Sequence, residues 1–448
     1  MPLVRPFRGL GYALDRFGTA TIPDRVRLPE EPDQHPGRLA DLTDVASPPY
    51  YVIDDEQRER LLARSPYNAV RLELSSADEP HAEAAAALRS WLAEGILERR
   101  REPSVYYYSH ATPDSPTDPT VHGVLARVAL EPYGAEMRAH ELTMAAPKAD
   151  RLGLLRTTQT QLSPILAIYF DKSERYRHVM ARSWTEEWRA RDDDGLLHTL
   201  AAVEPDDRLI GYLSRQALFM ADGHHRYETA LAYQAEVRGR PEHRDAAPRS
   251  LGADWIMVVL VNAEIEELQI RATHRLLRNV NPAALSSLIH DPGPLFKARP
   301  VAVNELSARL EESGDLRDVV FGLVANRDDA WLFVGDGPAI ATRMRDEQLS
   351  SAVQRLDLAV LHAAVLGDRL GLQGPAGAPA DAILYTKDPT DAIARVRSGS
   401  AQAAVLVRPT RLEQLAAVAT AGDVMPQKST YFYPKLLTGL AFYSLDEE

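Results

Sequence analysis

The chain has 448 residues, a net charge of −13 at pH 7, no cysteine and a hydrophobic fraction of 45%. This length predicts about three globular domains, and the missing cysteine excludes disulfides, thiolate metal ligands and cysteine nucleophiles. The acidic balance disfavours nonspecific binding to nucleic acid, which requires a basic surface. The sequence has no apolar run of about 18 residues and no signal-peptide pattern. We therefore expect a cytoplasmic protein that does not span a membrane.

Residues 1–130 are predicted to form an N-terminal α/β domain. The stretch HAEAAAALRSWLAEGIL is rich in Ala and Leu and predicts an amphipathic helix. SVYYYSH and VLARVALEPY predict strands, and residues 69–74 alternate in the manner of a further strand.

Residues 131–275 are predicted to form a central core, and residues 276–448 a C-terminal α/β domain. In the core, QALFMADGHH and WIMVVLVNA predict strands, and WTEEWRARDDDGLLHTLAAV predicts a helix. In the last domain, AILYTKD, DAIARVRSG and AAVLVRP predict a strand, a helix and a strand. Strands and helices mixed along the whole chain predict an α/β (mixed α+β) fold.

The first candidate site is the segment FMADGHHRYETAL, between a predicted strand and a predicted helix. Gly223 permits a tight turn there, and the free N–H groups at the start of a helix favour an anion. His224, His225 and Arg226 add side-chain donors, so the turn predicts a phosphate site. The alternative is a helix capped by Asp222 and followed by solvated basic residues. The usual chelating spacing of a helical metal site is absent.

The second candidate site is HELTMAAPKADRL. Glu141 is a candidate base for a substrate hydroxyl if burial raises its pKa toward neutrality. Lys148 and Arg151 are candidate phosphate ligands. The alternative is a helix start, capped by Thr143 or Asp150, whose charges face water.

Two further segments carry candidate ligands. In MPQKSTYFYPKL, Lys428, Ser429 and Thr430 offer a cation and two hydroxyls but lack the glycines of a Walker motif. The alternative for this segment is an aromatic strand packed on the core. In ATHRL, His274 and Arg275 follow a strand, and the alternative is a hydrogen-bonded structural histidine.

Nearly end to end, the chain resembles a prokaryotic family catalogued as domain of unknown function ten-fifteen. The segments that carry the resemblance are PFRGLGY, PPYYVI, SPYNAVRLEL, HELTMAAPKADRL, LSPILAIYFD, ADGHHRYETAL, THRLL, LDLAVLH and MPQKSTYFYPKL. The chain departs from the family pattern at Tyr51, where an acidic residue is expected, and at Ala272, where a proline is expected.

Over a shorter stretch, DGHHR resembles the nucleotide-phosphate motif of the ParB/sulfiredoxin-like superfamily, and especially that of its free-serine kinases. The acidic segment HELT precedes it, in the same order as in those kinases. The resemblance implies a ParB/sulfiredoxin-like core in which Glu141 activates a serine hydroxyl. It also implies that Asp222, His224, His225 and Arg226 bind either the nucleotide phosphates or serine. It also implies ATP or ADP and Mg²⁺ as cofactors, and Mg²⁺ bridging phosphates needs few protein ligands.

These observations predict a phosphotransferase that converts a metabolite hydroxyl, free L-serine first, to its phosphate ester. Such a reaction needs mainly positioning and charge neutralisation, together with a base for the hydroxyl. The alternatives are a phosphoserine-type phosphatase and a non-catalytic ParB-like nucleotide-binding switch. The expected partners are a small-molecule substrate and a nucleotide, without nucleic acid or membrane, and a homo-oligomer is allowed.

The candidate residues have three predicted roles, and no metal ligand is assigned. The predicted catalytic residues are Glu141, His140 and His225. The predicted nucleotide- or phosphate-binding residues are Asp222, Gly223, His224, Arg226, Lys148, Arg151, Lys428, Ser429 and Thr430. The predicted substrate-binding residues are Thr143, His274 and Arg275.

Overall fold

The structure is a computed structural model in which the chain divides into two compact units. It describes residues 1–18, 38–115, 119–134, 136–141, 143, 145–173, 186–313, 318–326, 328–372 and 382–446. Unit 1 contains Met1–Arg138, Thr143–Leu268 and Pro434–Glu448, and unit 2 contains Ala139–Leu142 and Gln269–Tyr433. Each unit therefore combines segments that are distant in sequence. The three-domain division with boundaries at residues 130 and 275 stays a prediction.

Unit 1 is built around a large mixed sheet. The strands of unit 1, numbered along the whole chain, are β1 Val4–Arg5, β2 Leu10–Tyr12, β3 Arg38–Asp41, β4 Leu97–Arg99, β5 Val105–Ala111, β6 Val121–Ala129, β7 Met137–Arg138, β8 Thr160–Gln161, β9 Ile165–Tyr169, β10 Glu186–Arg191, β11 Leu197–Val203, β12 Leu218–Asp222, β13 Trp255–Asn262 and, near the C-terminus, β22 Tyr443–Ser444. The large sheet has the order β3-β10-β11-β5-β6-β13-β9-β12-β7, with β1 paired to β6. The small pairs β2-β4 and β8-β22 lie outside it.

The centre of this sheet is buried on both faces. All eight residues of β13 are buried, and the strand runs antiparallel to β6 and parallel to β9. A strand covered on both faces reads as a continuous apolar run, as WIMVVLVN does. β12 lies on the other side of β9, antiparallel to it, and ends at Asp222.

Six helices are described in unit 1. They are α1 Asp55–Arg64, α2 Val70–Glu73, α3 Pro80–Ala93, α4 Ala145–Thr158, α5 Asp207–Leu213 and α6 His224–Arg238. α4 packs against both α3 and α6. Because α6 follows β12 directly, its N-terminus lies at the end of a buried strand, which is where the first candidate site was predicted.

Two predictions for this unit were wrong. The segment WTEEWRARDDDGLLHTLAAV was predicted to be a helix, but its described part forms the antiparallel strands β10 and β11. Glu187 and Arg189 are buried in β10 and pair with each other, so their charges do not mark a solvated helix face. Residues 69–74 were predicted to be a strand, but α2 lies there, since the Asn68 side chain accepts from the N–H of Val70 and starts a helical turn.

Unit 2 contains a second sheet in which every pairing is antiparallel. Its strands are β15 His274–Leu277, β16 Phe296–Ala302, β17 Val320–Val324, β18 Asp329–Gly335, β19 Ile383–Thr386 and β20 Ala403–Val407, in the order β16-β18-β17-β20-β15-β19. A separate ribbon pairs β14 Gln269–Arg271 with β21 Tyr431–Tyr433. The helices are α7 Pro282–His290, α8 Leu306–Glu312, α9 Gly337–Met344, α10 Ser351–Gln354, α11 Asp357–Val360, α12 Pro389–Arg397 and α13 Leu412–Thr420.

The core of unit 2 lies between the sheet and its helices. Leu306 of α8 and Ala392 of α12 are buried against sheet residues such as Leu276 and Leu406. The strand, helix and strand predicted from AILYTKD, DAIARVRSG and AAVLVRP are confirmed as β19, α12 and β20. The two sheets with their helices confirm the predicted mixed α/β class, and the ParB/sulfiredoxin-like identity of the core stays a prediction.

Candidate functional site

The turn from β12 into α6 depends on Gly223. Its φ of 102° lies in the left-handed region, and it occupies the N-cap position of α6. A Cβ at this position would lie 2.5 Å from Cγ2 of Ile165 in the neighbouring strand. Glycine therefore allows the chain to pass from the buried strand directly into the helix. The first N–H groups of a helix lack partners within the helix, so this turn presents donors suited to an anion.

Asp222 does not cap α6, because no side chain caps this helix. Instead its carboxylate accepts from Arg226 Nη2 at 2.8 Å and from Lys435 Nζ at 2.6 Å, and the hydroxyl of Tyr51 also donates to it. We call Asp222, Arg226, Lys435 and Tyr51 the Asp222 cluster. It gathers two cations and a hydroxyl at the N-terminus of α6.

The two cations keep the Asp222 carboxylate ionised. Burial alone would raise the pKa of this carboxyl, but Lys435 and Arg226 more than offset that effect, so its pKa lies well below its usual range. The charged carboxylate in turn orients both cations. A carboxylate that pairs with its neighbours in this way acts as a fixed support for charged groups at the turn.

Arg226 is also held by groups on the strand side. Its Nη1 donates to the Ser163 hydroxyl at 3.0 Å and to the carbonyl of Pro164 at 2.6 Å. The Tyr51 ring centroid lies 5.6 Å from the Arg226 guanidinium carbon and 5.4 Å from Lys435 Nζ. These contacts fix the guanidinium in one orientation, which favours binding of a single anion geometry.

A second ion-pair array lies beside this cluster. Arg151 is 8% exposed and pairs with Glu73 at 2.7 Å and with Asp150 at 2.6 Å. The Tyr50 ring centroid lies 4.2 Å from the Arg151 guanidinium carbon. Arg151, Glu73, Tyr50 and Arg226 together line a cavity of about 60 Å³. The structure thus brings Arg151 next to Arg226, with its donors taken by carboxylates, and its phosphate role stays a prediction.

Lys148 and Thr143 lie at the start of α4 and contact α6. Lys148 Nζ lies 2.7 Å from Glu228 Oε2, and the Thr143 hydroxyl donates to the same oxygen at 2.6 Å. His224 is buried and His225 is partly exposed at the start of α6. These four predicted residues therefore lie on or beside α6, as do Asp222, Gly223 and Arg226.

A separate cluster forms within unit 2, where His140 and Glu141 meet the MPQKST segment. His140 Nε2 lies 2.9 Å from the Thr430 hydroxyl, and the N–H of Met425 donates to the carbonyl of His140 at 2.8 Å. The N–H of Lys428 lies 3.4 Å from Glu141 Oε1. We call His140, Glu141, Lys428 and Thr430 the Glu141 cluster.

Arg275 fixes the turn that carries Lys428. Its guanidinium is fully buried and donates to the carbonyls of Gln427 and Lys428, each at 3.2 Å, and to the carbonyl of Thr273. Burial lowers the pKa of Arg275 to about 10, although Tyr385 and Glu141 act in the opposite direction. In the structure Arg275 reaches backbone carbonyls, and its predicted contact with substrate stays a prediction.

His274 and Ser429 are also tied to backbone groups. Nδ1 of His274 accepts from the N–H of Val407 at 3.2 Å, and burial, with Arg275 nearby, lowers the pKa of His274 to about 4. The histidine is therefore neutral at pH 7 and fits the structural alternative. The Ser429 hydroxyl donates to the carbonyl of Pro426, and Ser429 itself is buried.

The predicted residues therefore gather into two groups, one in each unit. Unit 1 holds Asp222, Gly223, His224, His225, Arg226, Lys148, Arg151 and Thr143, and unit 2 holds Glu141, His140, Lys428, Ser429, Thr430, His274 and Arg275. The sequence reasoning missed Tyr51, Lys435, Tyr50 and Glu73 as site residues. The sequence offered one sign that these four residues matter: each lies within a segment that carries the family resemblance.

No group of three or more His, Asp or Glu side chains suited to a metal ion occurs among the residues described. The expected Mg²⁺ stays a prediction. In the described ranges, no helix has the length and apolar character needed to cross a membrane.

These features define a mixed α/β protein that has a glycine-dependent strand-to-helix turn and two charged clusters. The chain belongs to the family described as "Protein of unknown function (DUF1015)", whose model matches residues 31–359. No curated protein matches the chain in sequence.

Three solved structures have some likeness to the chain. A "Free serine kinase in complex with AMP" is 11% identical, with a TM-score of 0.35, covering 66% of this chain and 83% of that one. A conserved hypothetical protein from Pyrococcus furiosus is 12% identical, with a TM-score of 0.34, covering 67% and 89%. SbnI with a C-terminal truncation, from Staphylococcus aureus, is 10% identical, with a TM-score of 0.33, covering 70% and 85%.

Proposed function

We propose that the protein is a nucleotide-dependent phosphotransferase that phosphorylates the hydroxyl of a small metabolite, with free L-serine as the first candidate. The hydroxyl oxygen forms a bond to the terminal phosphorus of the nucleotide, and the bond from that phosphorus to the bridging oxygen breaks. The hydroxyl proton passes to a base, and the shortened nucleotide leaves with the electron pair. Such a reaction depends on positioning the two substrates and neutralising phosphate charge.

The observation that carries this proposal is the turn at Gly223. There the N-terminus of a long helix lies beside Arg226 and Lys435, which Asp222 holds in fixed positions. Helix N–H groups and a guanidinium are the donors that proteins use for phosphate. In this proposal the turn binds nucleotide phosphate, and Asp222 positions the cations and does not itself react.

Glu141 has the role of the base in this proposal. Glu141 is partly exposed, and the N–H of Lys428 lies 3.4 Å from its Oε1 in a contact that is open to solvent. The N–H of Lys428 belongs to a turn that Arg275 holds from the buried side. A carboxylate whose orientation is fixed by a backbone donor can accept a proton from a hydroxyl brought within hydrogen-bond reach.

The test is a phosphate-transfer screen with the full chain. The protein is incubated, with and without Mg²⁺, with ATP, ADP, CTP or pyrophosphate and pooled hydroxyl metabolites including L-serine, and the products are read by mass spectrometry. The proposal predicts a phosphorylated acceptor that requires both nucleotide and protein. Release of phosphate from added phosphoserine without nucleotide would indicate the phosphatase instead. Tight nucleotide binding without any product would indicate the nucleotide-binding switch.

A further inference from the structure

A small cavity in unit 1 lies where α4 packs against α6. Its lining residues on these helices are three and four apart, the spacing that places side chains on one helix face: Arg151, Leu154, Leu155, Arg226, Thr229 and Ala230. Glu73, the last residue of α2, also lines the cavity, whose volume is about 60 Å³. A buried water needs about 10–15 Å³, so the space suits roughly four to six non-hydrogen atoms. We call it the Glu73 cavity.

The Glu73 carboxylate has one oxygen that nothing in the described residues satisfies. The residue is 5% exposed, and its Oε2 accepts from Arg151 Nη1 at 2.7 Å, whereas its Oε1 has no hydrogen-bond partner. Arg151 also pairs with Asp150, so one guanidinium serves two carboxylates. A buried charged acceptor without a donor is costly, which makes Oε1 a position that a ligand with a donor would stabilise.

The Thr229 hydroxyl is a second buried polar atom of the cavity. Thr229 is 4% exposed, and its Oγ1 has no partner in the described part of the chain. A threonine hydroxyl inside a helix can bond the carbonyl four residues before it, but this one does not. Around these two atoms the wall includes apolar side chains, among them Leu154, Leu155 and Ile165.

The chemistry of the Glu73 cavity selects a cationic nitrogen donor. An anion would meet the unpaired oxygen of Glu73, and the guanidiniums of Arg151 and Arg226 already pair with carboxylates. An apolar ligand would leave both polar atoms unsatisfied. No group of three His, Asp or Glu side chains suited to a metal ion occurs in the described ranges. A primary ammonium group has three donors and no acceptor, and its bond to a carboxylate is charge-assisted.

We propose that the Glu73 cavity binds the ammonium group of a small primary amine. The ammonium donates to Glu73 Oε1 and Thr229 Oγ1, and the carbon atoms of the ligand pack against the leucines of α4. Tyr50 and Gln161 of the lining are partly exposed, so the cavity is not sealed from solvent. The site lies wholly within unit 1 and needs no nucleotide, so it goes beyond the proposed function and does not depend on it.

The test measures equilibrium binding to the full chain by titration calorimetry at pH 7, without nucleotide and in a buffer that contains no primary amine. Propylamine supplies the ammonium group, L-alanine adds a carboxylate to it, and 1-propanol replaces it with a hydroxyl. We expect propylamine, L-alanine or both to bind at one site. 1-Propanol should bind about 10-fold more weakly or not at all, because hydrogen bonds between charged groups are the stronger ones.

Three variants locate the site. Glu73→Gln removes the charge of the acceptor and should weaken amine binding about 10-fold or more. Thr229→Val keeps the shape but removes the hydroxyl, and should weaken binding about 2- to 10-fold. Because that hydroxyl has no partner to lose, the urea midpoint of ligand-free Thr229→Val should not fall. Glu242→Gln, at an exposed glutamate elsewhere in unit 1, is the matched control and should bind normally.

Each outcome decides the proposal. Tighter binding of propylamine supports it with an aliphatic amine as the ligand, and tighter binding of L-alanine supports it with an amino acid. If neither binds to the unaltered protein, the cavity holds water only and the proposal is overturned. Equal binding of 1-propanol also overturns it. Undiminished amine binding by Thr229→Val and Glu73→Gln would place the amine elsewhere, and the Thr229→Val result decides alone if Glu73→Gln does not fold.

Discussion

At the scale of single residues, Asp222 joins groups that are far apart in sequence. Its carboxylate binds Arg226 four residues later, Tyr51 171 residues earlier and Lys435 213 residues later. Arg226 and Lys435 are mostly buried, so each depends on the Asp222 charge. Removing one member of a buried ion pair leaves an uncompensated charge, which costs far more than losing a surface pair.

We therefore expect Asp222→Asn to lower the free energy of unfolding by roughly 3 kcal/mol or more. The matched control is Asp193→Asn, which removes a partly exposed pair with Arg64 and should cost no more than about 1 kcal/mol. Urea unfolding at pH 7 measures both changes. Equal, small losses in the two variants would contradict the assigned role of Asp222.

Sequence alone identified only part of this residue set. Asp222, Gly223 and Arg226 were found because they lie together in one unusual turn between a strand and a helix. Tyr51 and Lys435 were missed because no local pattern connects them to Asp222, although both lie in segments that carry the family resemblance. Long-range pairing of this kind is set by the strand order, which periodicity does not reveal.

At the scale of elements, the junction of β12 and α6 depends on the absence of a side chain at Gly223. Gly223→Ala should destabilise the protein by roughly 2–5 kcal/mol, since a left-handed alanine and an overpacked contact with Ile165 both cost energy. Gly95 also has a positive φ but has open space around its Cβ position. Gly95→Ala should therefore cost only about 1 kcal/mol. Thermal unfolding of the two variants compares them, and similar melting temperatures would argue against the tight junction.

The pairing of β5 with β11 buries two histidines opposite each other. His110 faces His198, and Nδ1 of His198 lies 2.9 Å from the Tyr108 hydroxyl while its Nε2 lies 3.2 Å from Asp192. Burial first, and then His198 and His122, lower the pKa of His110 to about 3. His110 is therefore neutral in the folded protein at pH 5, whereas the unfolded chain binds a proton below a pKa of about 6.5.

Between about pH 3 and pH 6.5 the unfolded state binds a proton at His110 that the folded state does not. The contribution of His110 to the free energy of unfolding is therefore fully present above about pH 6.5 and is lost as the pH falls toward 3. His110→Leu should reduce the slope of unfolding free energy against pH by up to about 1.4 kcal/mol per pH unit, the value for one proton. Urea unfolding at pH 5 and pH 7 measures this slope. An unchanged slope would mean that His110 does not titrate in the unfolding reaction.

Element prediction succeeded where the residue pattern was local. The apolar run of β13 and the Ala-rich α3 were identified because each pattern matches one type of structure. β10 was predicted to be part of a helix, whereas Glu187 and Arg189 lie on a strand and neutralise each other inside the sheet. A buried ion pair between residues two apart on a strand cannot be distinguished from surface charges by composition.

At the scale of the whole molecule, the chain interleaves its two units. Ala139–Leu142 groups with unit 2, although the residues on either side belong to unit 1, and Pro434–Glu448 returns to unit 1. The sequence analysis placed HELT and DGHHR in one predicted core, and that division stays a prediction. Within unit 2, His140 contacts Thr430 and Glu141 pairs with Met425 in a parallel bridge, so these two residues of HELT meet the MPQKST segment.

The measurement that tests the central claim most directly compares Glu141→Gln with the unaltered protein in two assays: equilibrium binding of ATP and formation of phosphorylated acceptor. The control is Glu311→Gln, at an exposed glutamate on α8. If Glu141 is the base, Glu141→Gln should bind ATP within about twofold of the unaltered protein and lose transfer by about 100-fold or more, the usual worth of a general base. Glu311→Gln should be unchanged in both assays. Undiminished transfer by Glu141→Gln would contradict the role of this residue, and the absence of nucleotide-dependent transfer in the unaltered protein would contradict the proposed phosphotransferase.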